Sequence, residues 1–170
     1  GKEVDDFKPA YTDLSGHWAE QIVNQLASYG VAIRSEKFMP DQEITQAEYL
    51  TLLCEAMYPY DDFREEDYVY ETMLRRKVLT ADEKNPNGTI TKETAICYLL
   101  RVMGMQKVAE LPGIYRCDFS DESEITPALY GYCALAKGFG IVNGANQQLQ
   151  PQKTATRAEA VTMIYQYLTK

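Results

Sequence analysis

The residues that most enzymes rely on are scarce in this sequence. Its 170 residues include one histidine, His17, and one tryptophan, Trp18. A lone histidine argues against a zinc site and against a Cys-His nucleophile. The four cysteines, Cys54, Cys97, Cys117 and Cys133, are spaced 43, 20 and 16 residues apart, so there is no C-x-x-C pair. Cys54, Cys97 and Cys133 fall inside apolar helical patterns and read as small buried hydrophobes. Cys117 falls in a loop, which makes Cys117–Cys133 the least unfavourable disulfide pairing. There is no G-x-S-x-G, P-loop, H-E-x-x-H or dinucleotide fingerprint. Basic residues are outnumbered 25 to 17, for a net charge of -8. That excludes non-specific binding to nucleic acid or anionic lipid, yet leaves room for a small basic groove. No apolar run approaches the roughly 20 residues needed to cross a bilayer. Gly1-Lys2-Glu3-Val4-Asp5-Asp6 reads as the start of a polar leader, residues 1–10.

What is present is an ordinary globular mix, 45% hydrophobic and 25% charged, arranged as a repeat. In order, each copy has an aromatic-acidic start, a helical stretch, a short apolar pair, a polar loop and a Thr-led second helix. Copy one has Tyr11-Thr12-Asp13, a helix around Trp18 to Tyr29, Gly30-Val31, and Ile44-Thr45-Gln46-Ala47-Glu48. Copy three has Phe119-Ser120-Asp121, a helix near Ala128 to Lys137, Gly140-Ile141-Val142, and Ala155-Thr156-Arg157-Ala158-Glu159. Copy two is more degenerate: Asp62-Phe63, a helix near Tyr68 to Arg76, Lys77-Val78-Leu79, and Ile90-Thr91-Lys92-Glu93-Thr94. Gly30 to Lys77 is 47 residues and Thr45 to Thr91 is 46, whereas Lys77 to Gly140 is 63 and Thr91 to Thr156 is 65. One period of about 46 therefore holds, with an inserted loop before copy three that contains the turn Leu111-Pro112-Gly113. The units are 11–60, 61–105, the insertion 106–117, and 118–170.

Local chemistry supports helix pairs. Thr45-x-x-Glu48 and Thr156-x-x-Glu159 are capping boxes, in which Thr accepts from a first-turn N–H and Glu reaches back to the Thr N–H. Apolar stripes follow at helical spacing: Leu50, Leu53, Cys54 and Met57; Ala160, Ile164 and Leu168; and, in the first helix, Ile22, Leu26 and Tyr29. Gly30 and Gly140 suit the left-handed turn that closes a helix. One pair of this size cannot bury its stripe alone, whereas three stacked pairs share a core. The expected fold is all-α: three helix-loop-helix repeats packed as a pseudo-threefold bundle with little or no sheet. Any extended pieces fall at Ala32-Ile33 and Phe38-Met39. The stretch Asn85-Pro86-Asn87-Gly88-Thr89-Ile90 imitates a calcium loop, but Thr94 stands where the bidentate carboxylate belongs. It reads as a turn before a helix.

The pattern resembles the S-layer homology family. Matching residues are Tyr11-Thr12-Asp13-Leu14, His17-Trp18-Ala19, Gly30-Val31, Phe38-Met39-Pro40 and Ile44-Thr45-Gln46-Ala47-Glu48. In copy three they are Phe119-Ser120-Asp121, Gly140-Ile141-Val142-Asn143-Gly144, Leu149-Gln150-Pro151 and Thr156-Arg157-Ala158-Glu159. The resemblance implies a non-catalytic module, part of a larger surface protein, that lies outside a bacterium. It implies that the module binds an anionic, often pyruvylated, secondary cell-wall polysaccharide, or a peptidoglycan-linked glycan, in grooves between repeats. No cofactor or metal is implied.

It also implies where the ligand sits. The basic residue after the motif Thr is the main contact, and the Trp region and Gly-containing loop wall the groove. That selects Arg157 first and Lys92 second, with Gln46 at the same position of copy one. Trp18, Asp13 and Gly144 line the groove, and Arg34 restores positive charge beside Gln46. An arginine fork suits a carboxylate, and first-turn N–H groups of a helix favour an anion. Each residue also has a plainer reading: Trp18 in the core, Lys92 solvated, Arg157 paired with a carboxylate on an adjacent turn, His17 a surface or capping residue. Because arginine survives in one copy only, a structural spacer or protein-docking surface is the rival. An anchor should present Arg157 exposed and unpaired, whereas a spacer should tie it into a salt bridge.

Overall fold

The computed structural model describes residues 10–144 and 146–170; the leader, apart from Ala10, lies outside them, as does Ala145. Among the described residues there are seven α-helices: α1 (Glu20–Ser28), α2 (Gln46–Met57), α3 (Glu66–Arg75), α4 (Lys92–Val102), α5 (Gln106–Ala109), α6 (Tyr130–Gly138) and α7 (Arg157–Thr169). Among the described residues there is no sheet, so the fold is all-α as expected. The second helices α2, α4 and α7 touch one another around a pseudo-threefold axis. Each first helix packs on the second helix of the preceding repeat: α3 on α2, α6 on α4, and α1 on α7, which closes the ring.

The ends of these helices follow from their sequences. Thr45, Thr91 and Thr156 are extended N-caps whose side chains accept from Glu48, Thr94 and Glu159 N–H. The two expected capping boxes are present at Thr45 and Thr156; Thr94 lacks the carboxylate for a third. Gly30, Lys77 and Gly140 close the first helices with φ of +87°, +60° and +76°. Beyond them the N–H groups of Val31, Val78 and Ile141 turn back to Leu26, Met73 and Ala136 carbonyls at 3.0, 2.9 and 2.9 Å.

The core runs through all the repeats. Leu50, Leu53, Cys54, Ala160 and Ile164 are buried as their stripes require, but Leu168 and Tyr29 are exposed. Both sit at helix ends beyond the reach of a neighbour, and Val23, Leu26 and Ala27 form the buried face of α1. All four cysteines are free and buried. Burial pushes the Cys54 and Cys97 thiols up to about 12 and Cys117 to about 11, so these are inert packing thiols rather than activated nucleophiles.

The extended pieces fall elsewhere than expected. Bridges join Glu43 to Thr156, Thr45 to Thr89 and Thr91 to Thr154, linking the segments ahead of α2, α4 and α7 into a ring. The first-turn N–H groups join the same ring. Gln46 and Ala47 N–H donate to Gly88 and Pro86 carbonyls, Lys92 and Glu93 to Lys153 and Pro151, and Arg157 and Ala158 to Gln42 and Pro40, all at 2.8–3.0 Å. The calcium-like stretch around Pro86 and Gly88 thus serves as a carbonyl cradle for α2. Each second helix is capped by the loop of the next repeat.

Candidate binding grooves

This capping scheme places the side chain that follows each motif Thr against the next repeat. Three inter-repeat sites result, of which the one at Lys92 has walls from all three repeats. The second oxygen of the capping-box glutamate faces the incoming side chain. Glu48 Oε1 accepts from Thr45 N–H while Oε2 receives Arg157. Glu159 Oε1 accepts from Thr156 N–H while Oε2 receives Lys92.

In the first groove Arg157 is only 9% exposed. One guanidinium nitrogen donates to Phe38 O at 2.8 Å and another is bonded to Glu48. The carboxylate therefore belongs to another repeat rather than to an adjacent turn, and the charge is not presented to solvent. Glu48 also lines a cavity of 270 Å³ together with Arg34, Thr51, Arg64 and Glu66. Arg34 is bound to Glu55 at 2.5 Å and Arg64 to Asp62 at 2.5 Å. Three arginines thus each have a carboxylate partner, Glu48, Glu55 and Asp62, and Glu66 lines the same cavity. Arg34 lies in this groove and not beside Gln46, because the side chain after the motif Thr reaches across to the next repeat.

Gln46 fills the second groove. It is 4% exposed. Its amide donates to Glu83 O at 2.9 Å and Tyr98 Oη at 3.1 Å. Its oxygen accepts from Tyr70 Oη–H at 2.8 Å and Asn85 N–H at 2.7 Å. All its hydrogen-bonding capacity is used, and no charge is needed because Thr94 offers none.

The third groove differs. Lys92, Trp18, Asn143, Gly144, Glu159 and Gln166 line a cavity of 170 Å³. It brings together three of the residues marked in the sequence, one from each repeat. Trp18 is 61% exposed, not in the core, because it precedes α1 in a turn and leans on His17 with centroids 5.3 Å apart. His17 is itself fixed: Nδ1 accepts from Ala19 N–H at 3.0 Å and Nε2 is 3.0 Å from Asp41. Lys92 and Lys153 both stand 3.6 Å from Glu159 Oε2, so two ammonium groups meet one carboxylate. Burial works against the Glu159 charge, but the Thr156 N–H and both lysines outweigh it and hold the carboxyl below its ordinary range. Lys153 was not marked by its sequence position. The available signal is that its counterparts, Gln42 and Gly88, are uncharged.

Gly144 shapes this groove. Its φ is +75°, and an added Cβ would come 2.7 Å from Gln148 O and 3.0 Å from the Phe119 ring. Asp13 plays an indirect part. Its carboxylate accepts from Phe38 and Met39 N–H at 2.9 and 2.8 Å, holding Met39 at a φ of +57°. Against desolvation, those N–H groups hold its pKa below the usual value. Asp121 does the same for Leu149 and Gln150 at 2.9 and 2.8 Å. The two first-turn N–H groups expected to favour an anion are already occupied by carbonyls in all three repeats, which leaves the cationic side chains as the sources of positive charge.

Residues 10–50 and 118–161 match the model of the S-layer homology domain, together half of the chain. An amylopullulanase of Thermoanaerobacterium thermosulfurigenes is 26% identical over 181 residues, covering 97% of this chain and 10% of that protein. Exoglucanase XynX of Acetivibrio thermocellus is 25% identical over 176 residues, covering 94% of this chain and 16% of its own length. The chain therefore spans a small part of each of these relatives.

Proposed function

The chain belongs to the S-layer homology domain family, whose members anchor proteins to the bacterial cell wall and are not catalytic, and on that premise we propose that its Lys92 groove holds an anionic secondary wall polysaccharide. The module then fastens a larger surface protein non-covalently and does no chemistry itself. The observation that carries this reading is the surplus ammonium charge of Lys92 and Lys153 over Glu159, beside the exposed Trp18 ring. A carboxylate on the glycan, a pyruvyl ketal for example, would take the place of the missing second anion. The indole would stack on the C–H face of the sugar, and Gly144 would let the loop approach closely.

The paired Arg157 and Arg34 and the filled Gln46 site support a division of labour. By the Arg157 criterion the module is a spacer, since that side chain is buried and paired; the anchor reading rests on the Lys92 groove alone, with the other two locking repeat to repeat. If the third were also idle, the module would be a spacer or a protein-docking surface. Sedimentation with wall sacculi separates the readings. Wild type should pellet with intact walls and stay soluble when the non-peptidoglycan polymer is stripped, and Lys92→Gln should stay soluble with both. A wild-type protein that never pellets leaves the spacer reading.

A further inference from the structure

The repeat pattern does not account for residues 106–117. From the end of α2 to the start of α3 the chain runs from 57 to 66, yet from α4 to α6 it runs from 102 to 130. The added segment carries α5 and the Leu111-Pro112-Gly113 turn, and lies outside both segments that match the family. It is docked rather than loose. Gly131 on α6 admits it: a Cβ there would lie 1.9 Å from Ala109 O and 2.9 Å from the Tyr115 ring. Tyr132 Oη–H donates to Glu110 at 3.0 Å, and Cys117 N–H donates to Tyr130 Oη at 2.8 Å. Tyr115 Oη–H is bonded to Val108 O.

Between the insertion and α6 lies a cavity of 550 Å³, within the range of about 300–1,000 Å³ usual for small-molecule sites. Its walls include Pro112, Tyr115, Pro127, Tyr130 and Glu110, and no lysine or arginine. Both tyrosine hydroxyls are engaged at the far end, which fixes the rings. One oxygen of Glu110 accepts from Tyr132. The other has no partner among the described residues.

We propose that this cavity is a binding site for an uncharged pyranose, separate from the Lys92 groove and independent of what that groove binds. Rigid aromatic and proline faces match the apolar C–H side of a sugar ring. A carboxylate with a free oxygen accepts its hydroxyls through charge-assisted hydrogen bonds. Arg101 reaches the Tyr132 hydroxyl that bonds Glu110, at 3.4 Å, but lies outside the cavity wall; the one charged group on the wall is negative, which disfavours acidic sugars, so the chemistry is opposite to that of the Lys92 groove.

The test is amide NMR of the Gly113 and Gly131 signals in the whole chain. The probes are chitotriose, cellotriose and maltotriose, with trigalacturonate as the acidic comparison. At least one neutral saccharide at about 10 mM, a concentration suited to weak sites, should move both signals, and trigalacturonate should move neither. Glu110→Gln, which keeps the cavity's shape, should weaken that response about tenfold. Tyr115→Ala should abolish it, and Lys92→Gln should leave it intact. No response to any neutral saccharide overturns the proposal, as does a Glu110→Gln protein that binds like wild type.

Discussion

The Arg157 groove and the Lys92 groove are the same construction put to different use. In both, a cation that follows a motif threonine crosses to the capping-box glutamate of the next repeat. Arg157 is buried there with one carboxylate and one backbone carbonyl, and its charge is spent holding repeat three to repeat one. Lys92 is nearly as enclosed, its side chain 15% exposed, but it shares its glutamate with Lys153, which is 51% exposed, so one charge is left over at the surface. The Gln46 groove shows the third outcome, in which cation and carboxylate are both absent and an amide takes their place. A basic residue at this position is therefore first an inter-repeat latch. On the proposed reading, it serves as a ligand contact only where its counter-charge is outnumbered.

The sharpest way to break this comparison is to remove each cation. Arg157→Ala leaves Glu48 without its buried partner and should lower unfolding free energy by about 3 kcal/mol. Lys92→Ala should cost less, about 1 kcal/mol, because Glu159 keeps Lys153 as a partner. Equal shifts in urea midpoint would erase the distinction between latch and contact. Next in size, Gln46→Arg strips Tyr70 Oη–H and Asn85 N–H of their acceptor and should cost about 2 kcal/mol. Adding Thr94→Glu supplies the missing carboxylate. A double-mutant cycle should then return roughly 1 kcal/mol of coupling, and zero coupling would mean the two positions are not a pair.

Smaller effects sharpen the open groove. Gly144→Ala forces a side chain into a left-handed position facing a carbonyl. It should cost about 1–2 kcal/mol and weaken wall binding along with it, both readable on one preparation. The Glu159 carboxyl has a pKa depressed below its ordinary 4.5. Its contribution is therefore complete above that value and fades as pH falls through the folded-state pKa. Thermal melts of wild type and Glu159→Gln should differ at pH 7, by less than about 1 kcal/mol given solvent screening, and converge in acid. A gap that widens in acid contradicts the assignment. Trp18→Ala should change stability by no more than about 0.5 kcal/mol.

Much of the fold was legible because its determinants are local. Thr45, Thr156, Gly30 and Gly140 mark helix ends by chemistry that needs no partner. The ring of bridges was not, since it joins Glu43 to Thr156 across the whole chain. The same distance hid the site. A carboxylate partner for Arg157 is expected on an adjacent turn, and the actual one, Glu48, lies 109 residues away. Arg34 looked close to Gln46 because the crossing of side chains into the next repeat is a property of the assembled ring. Trp18 has a core reading because the first helix is expected to start around it; α1 begins only at Glu20, which leaves Trp18 exposed in the turn ahead.

Trp18 also provides the most direct test, because it is the chain's single tryptophan and stands in the proposed groove. Wall polymer released from sacculi should shift its emission to shorter wavelength in a saturable titration of wild type. Lys92→Gln should show no shift at the same polymer concentration, and Arg157→Lys should titrate like wild type. If the polymer binds with no change at Trp18, or shifts it equally in Lys92→Gln, the ligand sits elsewhere and the assignment of this groove is wrong.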